Sequence, residues 1–180
     1  MTIKPLVHWL ASRGRTRPCD TVVLHATAGS TFAGALSALK ARELSYHYVI
    51  EDQRESDGLV RKCVPYGRVA FHAGKSEGPH GANVNAYSVG ISFVNLNDGL
   101  DGYSLRQYAA CLELIESLKT VLPLKYITTH AFISPGRKTD PKEFPIEQMA
   151  HDCGLELWGG SRLGVVVSGV SQGRTFREQK

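Results

Sequence analysis

The run SLRQYAACLELIESLKTVL, residues 104–122, restricts the fold more than any other segment. Leu105, Tyr108, Ala109, Leu112, Ile115 and Leu118 recur at helical spacing, Ser104 can cap the helix, and Pro123 ends it. A helix with one apolar stripe must bury that stripe against another layer. The segments TVVLHA (21–26), SYHYVIED (45–52), LVRKCV, YSVGISFVN (87–95) and KYITTH (125–130) supply that layer. They are short, β-branched or alternating, and read as strands. Residues 31–43 predict a second helix with Phe32, Ala35, Leu36 and Leu39 on one face. PIEQMAHDCG (145–154) predicts a third, with proline in its first turn and glycine after its end. Strands separated by helices point to an α/β fold, with helices packed on the faces of a sheet.

The polar run DQRESDG is expected to be a hairpin turn, and FHAGKSEGPHGANVN an ordered surface loop. Neither a repeat nor a linker divides the chain, so residues 1–180 are expected to form one domain. Its core lies at about 20–155, and the tail from Leu163 has too little core-forming pattern to place. Hydrophobic content of 42% and charged content of 21% exclude a disordered chain, and no apolar run is long enough to span a membrane. The net charge of +4 is mild and suits an anionic polymer such as a bacterial envelope; binding to nucleic acid is not expected. Cys19, Cys63, Cys111 and Cys153 form no C-x-x-C pair, which argues against a zinc ribbon or a redox motif. Four reduced, buried thiols are expected, in a chain made in the cytoplasm without a signal peptide.

His25 and His130 both stand at the ends of expected strands, where ligands collect in α/β sheets. Asp140 follows His130 after the Ser134-Pro135-Gly136 turn. Two imidazoles and a carboxylate can hold a catalytic zinc with one open position. The same residue types also serve as hydrogen-bonded structural groups, and composition does not choose between the two roles.

The motifs VVLHATAG, SYHYVI, AFHAG, NAYSVGISFV and THAFISPGRKTDP occur in this order along the chain. Their order and spacing resemble the zinc-dependent N-acetylmuramoyl-L-alanine amidases of the amidase-2 family. That family includes phage lysozymes of amidase type and resembles the peptidoglycan recognition proteins. The resemblance runs from about Val22 to Pro141, and the block H-x-x-x-S-P-G-R-K-x-D-P is its most specific part. It implies an α/β fold with a central mixed β-sheet flanked by helices. It also implies one zinc ion per chain, held by His25, His130 and Asp140. A cysteine can take the third place in the phage lysozyme branch; here it is aspartate, an acceptable ligand for zinc.

The resemblance further assigns Lys138 and Tyr46 to catalysis, and His72 and Asn85 to the substrate groove. Cytosolic amidases that recycle anhydro-muropeptides carry a small residue in place of Tyr46 and a glutamate in the slot filled here by Ser92. The swap favours a phage or prophage endolysin over a recycling enzyme. A third reading is a non-catalytic peptidoglycan-binding module, but such modules typically lose a zinc ligand. The endolysin reading carries further expectations: bacterial peptidoglycan as the partner, a monomer, and release by a holin-type pore to act in the periplasm. His47 is expected to be structural, and His8, His80 and His151 receive no role.

Overall fold

A computed structural model of the chain describes residues 1–53 and 56–159. Its elements run β1 (Ile3–Pro5), β2 (Ser12–Gly14), β3 (Thr21–Ala26), α1 (Phe32–Ala41), β4 (Tyr48–Ile50), β5 (Val60–Lys62), β6 (Arg68–Ala70), β7 (Glu77–Gly78) and β8 (Gly81–Ala82). A 3-10 turn (Val84–Tyr87) then leads into β9 (Ser88–Phe93), α2 (Leu105–Lys119), β10 (Tyr126–Thr129), α3 (His130–Ile133), α4 (Ile146–Cys153) and β11 (Glu156–Leu157). The tail from Leu163, and Arg54 and Glu55 of the expected DQRESDG turn, lie outside the described residues.

Seven strands form one sheet in the order β1-β5-β4-β9-β3-β10-β11. The β4–β5 pair is antiparallel and the other pairs are parallel, so the sheet is mixed as expected. Side-chain alternation then divides the molecule into layers. Val22 and Leu24 of β3, with Val89, Ile91 and Phe93 of β9, join the core cluster that contains Leu114 and Ile115 of α2 and Met149 of α4. The intervening residues, Val23 and His25 on β3 and Ser88, Gly90 and Ser92 on β9, face the other way. That second face is polar and small-sided, and there the buried histidines collect.

The caps expected at Ser104 and Gly154 are present, and Thr31 adds one at the start of α1. Thr31 accepts a hydrogen bond from the Gly34 amide at the start of α1. Ser104 and Gln107 form a reciprocal capping box on α2. Gly154 closes α4 in the left-handed conformation, φ 64°. Two local expectations need correction. Leu105 and Ala109 of α2 are exposed and Leu112 is only half-buried, whereas Gln107, Cys111 and Leu114 are buried. The buried face is rotated by about one residue because the Gln107 amide turns inward and donates to Val94 O at 3.0 Å. Strand β4 is also shorter than the expected 45–52: Ser45, Tyr46 and His47 precede it in irregular backbone. There His47 Nδ1 accepts from the Gly90 amide at 2.9 Å, a bond outside any strand ladder. All four cysteines are buried and unpaired. Among the described residues no helix is long and apolar enough to cross a membrane.

Candidate metal centre and its surroundings

Register brings the first two residues of the centre together. Thr129 pairs with Leu24, so His130, the next residue of the chain, emerges beside His25 with ring centroids 4.5 Å apart. His130 does not continue the strand. Thr129 caps the single helical turn α3, and Gly136, at φ 74°, helps reverse the chain. The returning segment is tied back at the backbone, where the Ala131 amide donates to Asp140 O at 2.9 Å. Asn97 secures the flanks of Asp140: its Nδ2 donates to Thr139 Oγ1 at 3.2 Å, and its Oδ1 accepts from the Lys142 amide at 2.7 Å.

His25, His130 and Asp140 therefore present three ligand atoms within 4.8 Å of one another. His25 Nδ1 lies 3.3 Å and His130 Nδ1 3.1 Å from the same carboxylate oxygen, Asp140 Oδ2. Atoms bound tetrahedrally at about 2.1 Å from a zinc ion would be about 3.4 Å apart, so the spacing suits such an ion.

The hydrogen bonds behind the rings decide which nitrogens carry protons. Ser88 Oγ donates to Val84 O at 2.7 Å, which leaves it an acceptor for His72 Nε2–H at 3.2 Å. Burial holds His72 well below its usual pKa and lowers that of His25 to about 4, with the neighbouring His130 adding to the shift. Both rings are neutral at pH 7. His72 Nδ1 is then a lone pair, and His25 Nε2–H donates to it at 3.0 Å. His130 Nε2 faces Ala73 O at 3.2 Å, a group that can only accept. In their neutral forms both histidines thus turn Nδ1 lone pairs toward Asp140. Three electron-pair donors converge with no donor proton between them, an arrangement that a divalent cation satisfies.

The other candidate residues differ in placement. Lys138 is exposed on the wall of the pocket that contains His130, Asp140 and Tyr46, and its ammonium has no carboxylate partner among the described residues. The Tyr46 ring lies 5.0 Å from that of His25. Burial, and then the charge of Asp140, push its phenol up to about 12. Ser92 pairs with His25 in register; its hydroxyl is buried without a well-formed hydrogen bond. His72 is 7% exposed and touches the pocket wall, with both ring nitrogens turned inward as described. Asn85 is not on that wall; its Oδ1 accepts from the amides of His72 and Ala73 at 3.1 and 2.8 Å. His47 donates from Nε2 to Arg68 O at 3.0 Å and is fully buried, in line with a structural role. Sequence reasoning missed Ala73, whose carbonyl orients His130, along with Ser88 and Gly90 behind His72. The signal for the latter two is the alternation in SVGISF, where small residues on one face leave room for rings.

Residues 15–143 match the family model described as N-acetylmuramoyl-L-alanine amidase, Amidase_2. The N-acetylmuramoyl-L-alanine amidase AmiD of Escherichia coli strain K12 is 28% identical over 150 residues, 76% of this chain and 54% of AmiD. The 1,6-anhydro-N-acetylmuramyl-L-alanine amidase AmpD of Citrobacter freundii is 34% identical over 89 residues, 47% of this chain and 46% of AmpD. The chain thus spans about half the length of the curated relatives it matches. The structure of AmiD with anhydro-N-acetylmuramic acid-L-Ala-D-gamma-Glu-L-Lys superposes with a TM-score of 0.66 at 26% identity, covering 79% of this chain and 60% of that one. The endolysin amidase LysCS of Clostridium intestinale URNW gives 0.69 at 21% identity, over 86% of this chain and 97% of that one; this is likeness of fold. With the family model spanning most of its length, the chain belongs to the N-acetylmuramoyl-L-alanine amidase family, Amidase_2.

Proposed function

We propose that the protein hydrolyses the amide between N-acetylmuramic acid and the L-alanine of the peptidoglycan stem peptide, with one zinc ion held by His25, His130 and Asp140. The convergence of two Nδ1 lone pairs and a carboxylate on one point carries this reading. When bound, zinc supplies an acidified water and Lewis-acid polarisation of a carbonyl.

The remaining roles belong to the chain. His25 is neutral near pH 7 with its Nε2 proton turned toward His72, so it need not shed a proton to act as a ligand. Lys138, cationic and free at the pocket rim, stabilises the oxyanion that develops on the attacked carbonyl. Tyr46 keeps its proton at working pH because its pKa is raised, so it acts as a hydrogen-bond donor and not as a base. It orients the reacting groups and assists departure of the L-alanine amine.

Within this reading we favour a phage or prophage endolysin that acts as a monomer on the periplasmic wall after release by a holin-type pore. Tyr46 beside His25, and serine at position 92, support that branch. A second reading, an enzyme acting on anhydro-muropeptides, is favoured by the similarity to AmiD and AmpD. Mass spectrometry of digests separates these readings. Stem peptides beginning with L-alanine, released from intact sacculi, support the lytic enzyme. Release from soluble anhydro-muropeptides alone supports the second reading, and new reducing sugar ends would reject the amidase. Asp140→Ala should abolish both turnover and stoichiometric zinc; unchanged zinc content and rate would remove this residue from the centre.

A further inference from the structure

One dipeptide touches the back of both imidazole ligands. His25 Nε2 reaches His72 Nδ1 at 3.0 Å, and His130 Nε2 reaches the carbonyl of the next residue, Ala73, at 3.2 Å. His25 lies on β3 and His130 opens α3, so a shared backstop fixes their relative orientation as well as their tautomers.

The dipeptide is itself held on several sides. Asn85 Oδ1 accepts both of its backbone amides, at 3.1 and 2.8 Å. Arg137 Nη2 donates to Ala73 O at 3.1 Å, so that carbonyl receives a cationic donor besides His130. Ser88 Oγ accepts from His72 Nε2 at 3.2 Å and thereby sets the ring's tautomer. On the sheet side, Gly90 leaves room for the ring against β9: a Cβ there would fall 2.6 Å from His72 Cγ.

We propose that His72–Ala73, pinned by Asn85, is a positioning element for the metal centre: it accepts the Nε2 protons of His25 and His130 and leaves both Nδ1 atoms facing Asp140. This rests on the zinc reading above and gives His72 and Asn85 a place behind the ligands in preference to the substrate groove. A groove residue would act on substrate affinity. A positioning residue acts on metal affinity and on the ligands' protonation pattern, with or without substrate.

The test uses the full chain. Imidazole nitrogen NMR of the zinc-free protein should find His25 in the Nε2–H form. Zinc affinity is read by competition with a chromophoric chelator, and ligand geometry from the visible absorption of the cobalt(II) form. His72→Phe, which cannot accept a hydrogen bond, should weaken zinc binding about 10- to 100-fold and alter the cobalt spectrum. His72→Gln restores an acceptor and should recover most of the loss. Asn85→Ala and Ser88→Ala leave His72 in place and should weaken zinc about tenfold and several-fold, respectively, so the inference stays testable if His72→Phe does not fold. A His72→Phe protein with wild-type zinc affinity and cobalt spectrum but a raised KM would overturn the inference, as would His25 in the Nδ1–H form. If wild-type protein bound no zinc while His25 kept its Nε2 proton, the zinc reading would fall and the hydrogen-bond assignment would stand.

Discussion

Gly90→Ala isolates the packing behind the candidate metal centre in a single methyl group. Gly90 lies within β9 and is not among the residues with positive φ, so alanine is compatible with its backbone. The cost is steric: the new Cβ would sit 2.6 Å from His72 Cγ and 2.8 Å from both Cδ2 and Nδ1. Restoring ordinary contact requires the ring to move by about 1 Å, and overpacking of this kind costs about 1–3 kcal/mol. Two terms oppose it. Burying one carbon gains about 0.8 kcal/mol, and replacing glycine lowers the unfolded chain's entropy by about 0.4–1 kcal/mol. The steric term has to exceed both, and moving the ring also breaks the 3.0 Å bond from His25 and the 3.2 Å bond to Ser88, at about 1 kcal/mol each. The expected net loss is about 1–4 kcal/mol, a fall of roughly 2–16 °C in Tm for a domain of this size. Urea unfolding in excess chelator measures it without linkage to metal binding. In the double variant Gly90→Ala, His72→Ala the obstacle is gone, so the alanine at position 90 should become neutral or stabilising, with a coupling of at least about 1 kcal/mol. A stable Gly90→Ala protein, or the absence of coupling, would refute the account of how His72 is seated.

Acid should destabilise the protein before its carboxylates titrate. Burial holds His47 at about 3 and His25 at about 4, whereas the unfolded rings titrate near about 6.5, so unfolding takes up protons across that window. Arg15, His25 and His72 all face His47 and disfavour its charging further, so stability should fall from about pH 6.5 toward pH 4 by up to about 1.4 kcal/mol per unit for each such ring. Urea midpoints that stay flat over this range would contradict it. The thiols should be inert in the native state, since burial raises Cys19 to about 11 and Cys63 to about 12, and all four should react after denaturation without reductant. Fewer than four, or unfolding on mild reduction, would show a disulfide. Tyr46→Phe should keep fold and zinc but lower turnover at least about tenfold, within the range of a positioned proton donor, whereas Ser92→Ala should cost little. Full activity of Tyr46→Phe would remove the phenol from the mechanism.

Local sequence rules reach a definite distance into this molecule. They determined the cap at Ser104 and the end of α4 at Gly154, because each depends on residues within one turn of each other, and the order of strands and helices determined the α/β class. They also put His25 at the end of β3, His130 just after β10 and Asp140 ten residues on, since the motifs carry these three residues in plain order. They could not choose between two adjacent stripes of α2. Leu105 and Ala109 are as apolar as the face that is buried, and the carbonyls of Val94, just after β9, and Ile50 on β4 make Gln107 an inward residue. The protonation of the centre was likewise out of reach. Whether His25 offers Nδ1 depends on His72, 47 residues away, and the tautomer of His72 depends on Ser88 and Val84. A sequence lists titratable groups, but the position of a proton is fixed by which donors and acceptors meet in space, and that meeting exists only in the tertiary structure.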